Sequence, residues 1–299
     1  MQPIIIEIDP ELCNGCQLCV RICPARAFSL IDKTAVLTGE CTFACDHCAA
    51  ACPQAAIKTR FPEFAPCHLT TVKVPTIPQT TPTKPEELIA LMLARRSCRL
   101  YTDREISREI LSDLVSIGIT APSGTNSQKW TFSIIDKRSR VIDFGAEIAA
   151  YYRKLNRLAN MKWLRQTLKL CGKPELGHYY REYYESINEG LDLWYEKNED
   201  RLFHGAPALI FIGARSGANY PREDALLATQ NILLAAESIN LGTCLIGFAV
   251  EALHRDAKIQ KTLNLPASEK IYSVIALGYP ALAFQRPAKR RKVAINWIE

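Results

Sequence analysis

The chain has 299 residues, of which 48% are apolar and 23% are charged, and its formal net charge is +6. These values are typical of a globular protein with room for one small and one larger domain. No stretch approaches the roughly 18 apolar residues of a membrane helix, residues 1–7 do not resemble a signal peptide, and no motif supports nucleic-acid binding. We therefore expect a cytoplasmic protein with no membrane or nucleic-acid partner.

Composition divides the chain into three regions. Residues 1–60 contain eight of the twelve cysteines, and residues 61–85 contain six prolines. Because proline fixes φ and removes an amide donor, the second region is predicted to be an extended connector. Residues 86–299 alternate helical and strand patterns, which predicts a larger second domain.

The cysteines of the first region form two runs, each followed by proline. The first run consists of Cys13, Cys16, Cys19 and Cys23, and the second of Cys41, Cys45, Cys48 and Cys52. The first has the C-x2-C-x2-C-x3-C spacing of bacterial ferredoxins, whereas the second has one extra residue after its first cysteine. Zinc favours two short knuckles with a longer spacer, which suits these runs poorly. The runs therefore predict iron–sulfur binding.

Cross-ligation is expected because the fourth cysteine of a ferredoxin run binds the other cluster. This predicts two [4Fe–4S] clusters. One would be held by Cys13, Cys16, Cys19 and Cys52, and the other by Cys23, Cys41, Cys45 and Cys48. Strands near residues 4–8 and 35–38 would complete a ferredoxin-like domain. The extra residue in the second run allows two alternatives at that site, a [3Fe–4S] cluster or a cluster with a raised potential. The four remaining cysteines are expected to be ordinary and half-buried.

The third region is predicted to begin with a helix, because Thr83 and Glu86 form a capping-box pattern. The further predicted elements are a helix from Ser107 to about Gly118, a strand at 130–135, helices within 145–203, a strand at 208–212, a helix at 221–241 closed by Gly242, and strands at 245–246 and 271–277.

Three segments of this region carry polar or glycine-rich motifs. Residues 95–99 supply three arginines and a serine, which suit a phosphate, although a solvated basic helix end explains that run equally well. A polar turn at 121–130 supplies Asn126 and Gln128 as hydrogen-bonding amides. Gly242 and Gly247 flank a short strand.

These motifs, followed by the segments 230–236 and 278–280 and a basic tail at 289–291, resemble the nitroreductase family of FMN oxidoreductases. The resemblance covers about residues 86–299, so the whole chain is similar to a ferredoxin–nitroreductase fusion. It implies an α+β fold. A small ferredoxin-like two-cluster domain would precede a nitroreductase-type α/β sandwich with a mixed, largely antiparallel sheet flanked by helices.

The resemblance also implies which residues bind FMN. The phosphate and ribityl chain would be bound by Arg95, Arg96, Ser97 and Arg99, with Lys289 and Arg291 closing from the tail. Asn126 would reach the flavin ring, with Pro122, Ser123 and Gln128 nearby. The backbone amides at the flavin N5 and O4 edge would come from Ile246 and Gly247.

The implied assembly is a homodimer with FMN at the interface and with residues 293–297 as an arm around the partner subunit. The implied activity is an FMN-dependent oxidoreductase with a built-in [4Fe–4S] relay and no catalytic side-chain acid or base. It would reduce a small acceptor such as a nitroaromatic, quinone or activated alkene, with ferredoxin or NAD(P)H as the electron donor. In one alternative, NAD(P)H reduces FMN directly and the clusters carry electrons outward. In the other, the protein is an electron-transfer or redox-sensing subunit of a larger complex.

Overall fold

The computed structural model describes residues 4–62, 64, 67–73, 84–266 and 268–298. The chain forms two compact units. The first contains the described residues up to 68 together with the 122–128 loop, and the second contains the described residues of 69–121 and 129–298. Most of the predicted connector lies outside the described residues, as does Thr83 of the predicted capping box.

The first unit repeats one strand–loop–helix–strand order twice. Its elements are β1 (Ile5–Ile8), α1 (Leu18–Ile22), β2 (Phe28–Ile31), β3 (Thr34–Leu37), α2 (His47–Ala50) and β4 (Ile57–Arg60). Strand β1 pairs with β4 and β2 pairs with β3, both antiparallel. The strands expected near residues 4–8 and 35–38 are β1 and β3, and the repeat gives the unit a pseudo-twofold arrangement.

The core of the first unit is small and is built around cysteines. Ala27, Phe28 and Ile57 are buried there together with Cys19 and Cys48. A core of this size stabilises a fold only weakly, and such domains depend on metals or disulfides. The stability of this unit is therefore expected to depend on what its cysteines bind.

The second unit contains a four-stranded antiparallel sheet with the order β5-β6-β8-β7. Its elements are α3 (Pro85–Ala94), α4 (Arg108–Gly118), β5 (Trp130–Ile135), α5 (Arg138–Asn160), α6 (Lys162–Leu170), α7 (Glu175–Glu182), α8 (Tyr184–Lys197), β6 (Ala208–Arg215), α9 (Pro221–Ser238), β7 (Gly242–Leu245), α10 (Gly247–Arg255), α11 (Ala257–Thr262) and β8 (Glu269–Gly278).

Helices cover both faces of this sheet, and strand β6 shows why. Alternate side chains of a strand point to opposite faces. Leu209 and Phe211 belong to one core with α5 and α10, whereas Ile210 and Ile212 belong to the other core with α4 and α9. A strand buried on both faces reads as a continuous apolar run, as residues 208–212 do. The predicted α+β class is confirmed.

Two predicted boundaries at the ends of helices were wrong. Helix α3 begins at Pro85 with Lys84 as its N-cap. Helix α9 ends at Ser238 rather than at Leu241, and the left-handed residue after it is Asn240, with φ 60°. Asparagine tolerates this conformation better than most residues, so the stop does not need a glycine. Gly242 instead begins strand β7.

Gly242 is required by close packing. A Cβ at this position would lie 2.6 Å from the Cβ of Cys98. We expect Gly242→Ala to lower the free energy of unfolding by about 2 kcal/mol, because the added methyl group forces the two segments apart. Gly190→Ala is the matched control, since nothing lies within 4 Å of a Cβ there. Equal denaturation midpoints for the two variants would contradict this account.

Asp113 of α4 fixes the segment just before the undescribed part of the connector. Its buried carboxylate accepts hydrogen bonds from the backbone amides of Thr70 at 2.9 Å and Thr71 at 2.6 Å, and from both threonine hydroxyls. Burial alone would raise the pKa of Asp113, but the hydrogen bonds outweigh it and lower the pKa to about 2.

This contact predicts a pH-dependent stability. Because the pKa of Asp113 is lower in the folded chain than its ordinary 3.8, the stabilisation is present above about pH 4 and is lost as the pH falls towards about 2. We expect Asp113→Asn to lower the free energy of unfolding by about 2 kcal/mol at pH 7, and by less at pH 3. Urea denaturation at both pH values measures this, with Asp143→Asn as an exposed control. If the difference in free energy of unfolding between wild type and Asp113→Asn were as large at pH 3 as at pH 7, the proposed role of the Asp113 carboxylate would be wrong.

The four cysteines outside the two runs do not share one environment. Cys98 and Cys244 are buried, whereas Cys67 and Cys171 are exposed, so the expectation that all four are half-buried was wrong. None of the helices in the described part of the chain is long and apolar enough to cross a membrane.

Candidate functional site

The first four-cysteine group surrounds a small cavity of about 20 Å³ in the first unit. The cysteines that line it are Cys13, Cys16, Cys19 and Cys52. Cys13 and Cys16 come from the loop between β1 and α1, Cys19 lies in the first turn of α1, and Cys52 comes from the segment before β4. The structure thus brings together a distant cysteine and a local triplet, in the grouping predicted for one cluster.

The second group surrounds a cavity of similar size, also about 20 Å³. It is lined by Cys23, Cys41, Cys45 and Cys48, together with Phe28, Phe43 and Phe61. The extra residue between Cys41 and Cys45 does not remove either cysteine from the cavity wall. The aromatic side chains restrict water there, and restricted solvent access is one of the factors that set a cluster's potential.

Backbone amides donate hydrogen bonds to cysteine sulfurs in both groups. The Ala56 amide lies 3.3 Å from the Cys52 Sγ, and the Ala27 amide lies 3.4 Å from the Cys23 Sγ. Each donor is four residues after its sulfur, as expected from the repeat. Amide hydrogen bonds to sulfur help set the potential of iron–sulfur clusters, so these contacts suit cluster thiolates.

Gly15 shapes the first cysteine loop. Its φ is 70°, and a Cβ there would lie 2.5 Å from the Lys33 carbonyl oxygen. Only glycine combines this left-handed backbone with so close an approach. The loop between Cys13 and Cys16 therefore tolerates no side chain at this position.

The cysteine environment fits a cluster better than a single ion. Burial raises the pKa of the Cys19 thiol, and that of Cys48 to about 11, so thiolates there need bound cations. Among the residues that the structure describes, no three Cys, His, Asp or Glu side chains converge closely enough for one metal ion. A zinc ion would need sulfurs at about 2.3 Å from it, and neither group of four cysteines brings its described side chains together that closely.

The arginine segment 95–99 lies at the β7 edge of the sheet in the second unit. Ser97 forms a parallel bridge with Thr243 of β7, and the Cys98 amide donates to the Thr243 carbonyl at 2.8 Å. Strand β7 leads directly to the N-terminus of α10 at Gly247. The structure therefore brings the predicted phosphate-binding segment and the predicted 246–247 amides to the same edge.

The charges of this segment are only partly neutralised. The Arg95 charge opposes the burial effect that raises the pKa of Glu237. Arg99 is exposed, yet it lies near enough to add to the burial effect that lowers the pKa of His204. An exposed arginine beside a half-buried histidine suits an anionic ligand.

Two buried polar atoms in this neighbourhood have no hydrogen-bond partner among the described residues, the Arg96 Nε and the Thr243 Oγ1. Buried polar atoms are normally hydrogen-bonded, so an orphaned one needs an explanation. The Arg96 side chain also donates to the Arg286 carbonyl and lines a cavity of about 530 Å³. An orphaned arginine nitrogen and an orphaned hydroxyl beside further arginines suit a phosphate-bearing group. Thr243 is a residue that sequence reasoning missed, because a lone threonine in a strand gives no signal.

The two predicted backbone amides differ. The Ile246 amide donates to the Val274 carbonyl at 2.9 Å, which continues the pairing of β7 with β8. Gly247 is the first residue of α10, and amides of a first helical turn have no partner within the helix. The Gly247 amide is therefore the better placed of the two to meet a ligand.

The 122–128 loop belongs to the first unit and is held by its own hydrogen bonds. The Ser123 hydroxyl accepts from the Gln128 amide at 3.0 Å, and the Gln128 side chain donates to the Asn126 side-chain oxygen at 3.1 Å. The Asn126 side chain donates to backbone carbonyls of the second cysteine loop. Pro122 is exposed.

The basic tail is the least constrained of the predicted elements. Lys289 and Arg291 are both exposed, and the tail that carries them has no helix or strand between residues 281 and 298. Their predicted role in closing on a phosphate stays a prediction.

Two family models match the chain. The model of the nitroreductase family matches residues 92–279. The chain belongs to the nitroreductase family. A model described as a 4Fe-4S binding domain matches residues 6–29, which contain the first cysteine run. The predicted ferredoxin–nitroreductase fusion is confirmed, and with it an enzyme of the nitroreductase family.

Relatives and solved structures agree with this assignment. A 4-nitrobenzoate reductase from Nocardioides sp. (strain LMS-CY) is 28% identical over 209 residues, which cover 65% of this chain and 81% of the relative. Iodotyrosine deiodinase 1 from Sus scrofa is 24% identical over 212 residues, 69% of this chain and 66% of the relative. The structure of a nitroreductase with bound FMN from Desulfitobacterium hafniense DCB-2 aligns with a TM-score of 0.52 at 24% identity, covering 71% of this chain and 98% of that chain.

Proposed function

We propose that this protein is an FMN-dependent oxidoreductase with two [4Fe–4S] clusters that connect an electron donor to the flavin. The observation that carries the proposal is that one chain of the nitroreductase family contains two separate cavities, each lined by four cysteines. When bound, the clusters transfer single electrons, and FMN accepts two and delivers them as a hydride or singly.

The chain's own residues have binding and positioning roles in this proposal. Arg95, Arg99 and Ser97 would bind the FMN phosphate, supported by the cations and orphaned atoms at the β7 edge. The Gly247 amide would donate to the flavin edge. Lys289 and Arg291 would complete the phosphate site from the tail. We propose no side chain as a catalytic acid or base.

The proposed domains are residues 1–60 for the clusters, 61–85 as a connector and 86–299 for the flavin. The proposed acceptor is a small nitroaromatic, quinone or activated alkene, and a relative named 4-nitrobenzoate reductase supports the nitroaromatic. The proposed donor is ferredoxin or NAD(P)H. Comparing flavin bleaching by NADH, NADPH and reduced ferredoxin under anaerobic conditions identifies the donor. Bleaching by none of the three would contradict the proposal.

Exposed apolar side chains on the first unit favour a second candidate, an electron-transfer or redox-sensing subunit of a larger complex. Leu12, Ile22 and Ile31 are each at least 45% exposed, and exposed apolar groups can mark a docking surface. Turnover of small acceptors separates the candidates, because the subunit would have negligible turnover with all of them.

We also propose a homodimer, supported by exposed apolar side chains in two segments. On α3, Ile89 and Leu93 are more than half exposed, and near the C-terminus Trp297 is 81% exposed. Such groups are rarely left to solvent in a stable protein. They suit the partner-wrapping arm that the family resemblance implies for residues 293–297.

The role of residues 293–297 in dimerisation can be tested by measuring the mass of the protein in solution. We expect Trp297→Ser to raise the dimer dissociation constant by about tenfold or more, because loss of a buried tryptophan contact weakens an interface by about 2 kcal/mol. Light scattering after size-exclusion chromatography measures the mass across a dilution series. Leu170→Ser is the control, since Leu170 on α6 is 89% exposed and lies outside the proposed arm. Identical dilution curves for Trp297→Ser and wild type would rule out the arm.

A further inference from the structure

The second cysteine loop is held from outside by an asparagine. The side-chain Nδ2 of Asn126 donates to the Phe43 carbonyl and to the Ala44 carbonyl, each at 3.0 Å. Asn126 is half-buried within the first compact unit, to which the 122–128 loop belongs. An amide nitrogen has two hydrogens, so this side chain uses both of its donors on one cysteine loop.

The rest of the 122–128 loop is organised around this contact. The Asn126 oxygen accepts from Gln128, so the donors and the acceptor of its amide are all engaged. Thr125, Asn126 and Gln128 all have left-handed φ values between 46° and 55°. Each such residue carries a conformational penalty of about 1 kcal/mol. A loop that contains three of them needs compensating contacts, and the hydrogen bonds to Phe43 and Ala44 are such contacts.

The first cysteine loop is held by a side chain of its own. There the Asn14 side chain accepts a hydrogen bond from the Cys16 amide at 3.2 Å, and Gly15 before Cys16 has φ 70°. In the second loop Ala44 before Cys45 has φ 45°, and Phe43 stands where the first loop has Asn14. The side chain of phenylalanine has no oxygen or nitrogen that could accept a hydrogen bond from the Cys45 amide. The second loop thus lacks its own cap, and it carries one more residue than the first.

We propose that Asn126 is a positioning residue that fastens the second cysteine loop to the 122–128 loop. The extra residue after Cys41 lets Phe43 and Ala44 present two neighbouring carbonyls to it. The second cysteine group, and not the first, is therefore the one whose loop is held by a segment from outside residues 1–68. That this loop binds a cluster rests on the proposed function.

The test uses the full-length protein, purified anaerobically with its iron, sulfide and FMN. Asn126→Ala removes both donors, and Asn126→Asp keeps the size but puts carboxylate oxygen against the two carbonyls. Amide hydrogen exchange is measured for residues 13–19, 41–46 and 122–128. Asn14→Ala is the matched control, because it removes the corresponding cap from the first loop alone.

We expect both Asn126 variants to exchange about tenfold faster than wild type over 41–46, because the hydrogen bonds from residue 126 to that loop are lost. Exchange over 13–19 stays at the wild-type rate, whereas Asn14→Ala gives faster exchange over 13–19 only. Wild-type exchange over 41–46 in both Asn126 variants overturns the proposal, whether or not they retain FMN. If wild-type protein purifies without FMN or iron, the proposed function fails, which is a different result.

Discussion

Cys52→Ala is expected to empty the same cluster site as Cys13→Ala, although the two residues belong to different cysteine runs. Both line the first cavity, whereas Cys23 and Cys45 line the second. A cubane that loses one of its four thiolates is held by three, and its iron is readily lost. Each single variant should therefore lose about half of the iron and sulfide.

Double variants make this prediction sharper. Cys13→Ala with Cys52→Ala should lose no more iron than either single change, because both changes affect one site. Cys13→Ala with Cys23→Ala should lose nearly all iron, since it affects both sites. Iron and sulfide quantitation after anaerobic purification gives the measurement. If Cys52→Ala and Cys45→Ala together retained half of the iron, the cross-ligation would be wrong.

Arg99→Ala is expected to weaken FMN binding by about tenfold to a hundredfold, because a charge-assisted hydrogen bond to phosphate is worth about 1.5–3 kcal/mol. Arg99 is exposed and lies near the half-buried His204. Its removal takes away a cation without opening the protein core. Arg99→Lys keeps the positive charge but loses the bidentate hydrogen bonding of the guanidinium group. We therefore expect a dissociation constant between those of wild type and Arg99→Ala.

Flavin fluorescence during titration of the FMN-free protein measures this affinity. Arg140→Ala is the matched control, since Arg140 is an exposed arginine of α5 that pairs with Asp143. It should bind FMN like wild type. An Arg99→Ala variant with wild-type affinity would remove Arg99 from the phosphate site.

Local spacing made much of the first unit predictable. Ligation of a cubane requires a particular spacing of cysteines along the chain. The spacing of Cys13, Cys16 and Cys19 therefore indicates a cluster site without further information. The pairing of Cys52 with them required a rule about cross-ligation rather than any local pattern. The central strand of the second unit was predictable for a similar reason, because the apolar run at 208–212 follows directly from burial on both faces.

The partners of Asn126 could not be predicted, because they lie more than 80 residues away along the chain. The motif around Asn126 indicated a flavin contact by resemblance, while the structure shows its amide bound to a cysteine loop. The only local signal was the extra residue after Cys41, which indicated that the second loop differs from the first. The end of α9 was mistaken for a different reason, since Gly242 was interpreted as a helix stop when it is needed for packing against Cys98.

The central claim is that the clusters deliver electrons to the flavin within one chain. The most direct measurement is the rate of flavin bleaching after anaerobic mixing with reduced ferredoxin in a stopped-flow instrument. It compares wild type with a Cys13→Ala, Cys23→Ala variant that retains FMN. The account predicts rapid bleaching in wild type and a rate in the variant no faster than that of FMN free in solution with the same donor. Bleaching at the wild-type rate in the variant would contradict the relay.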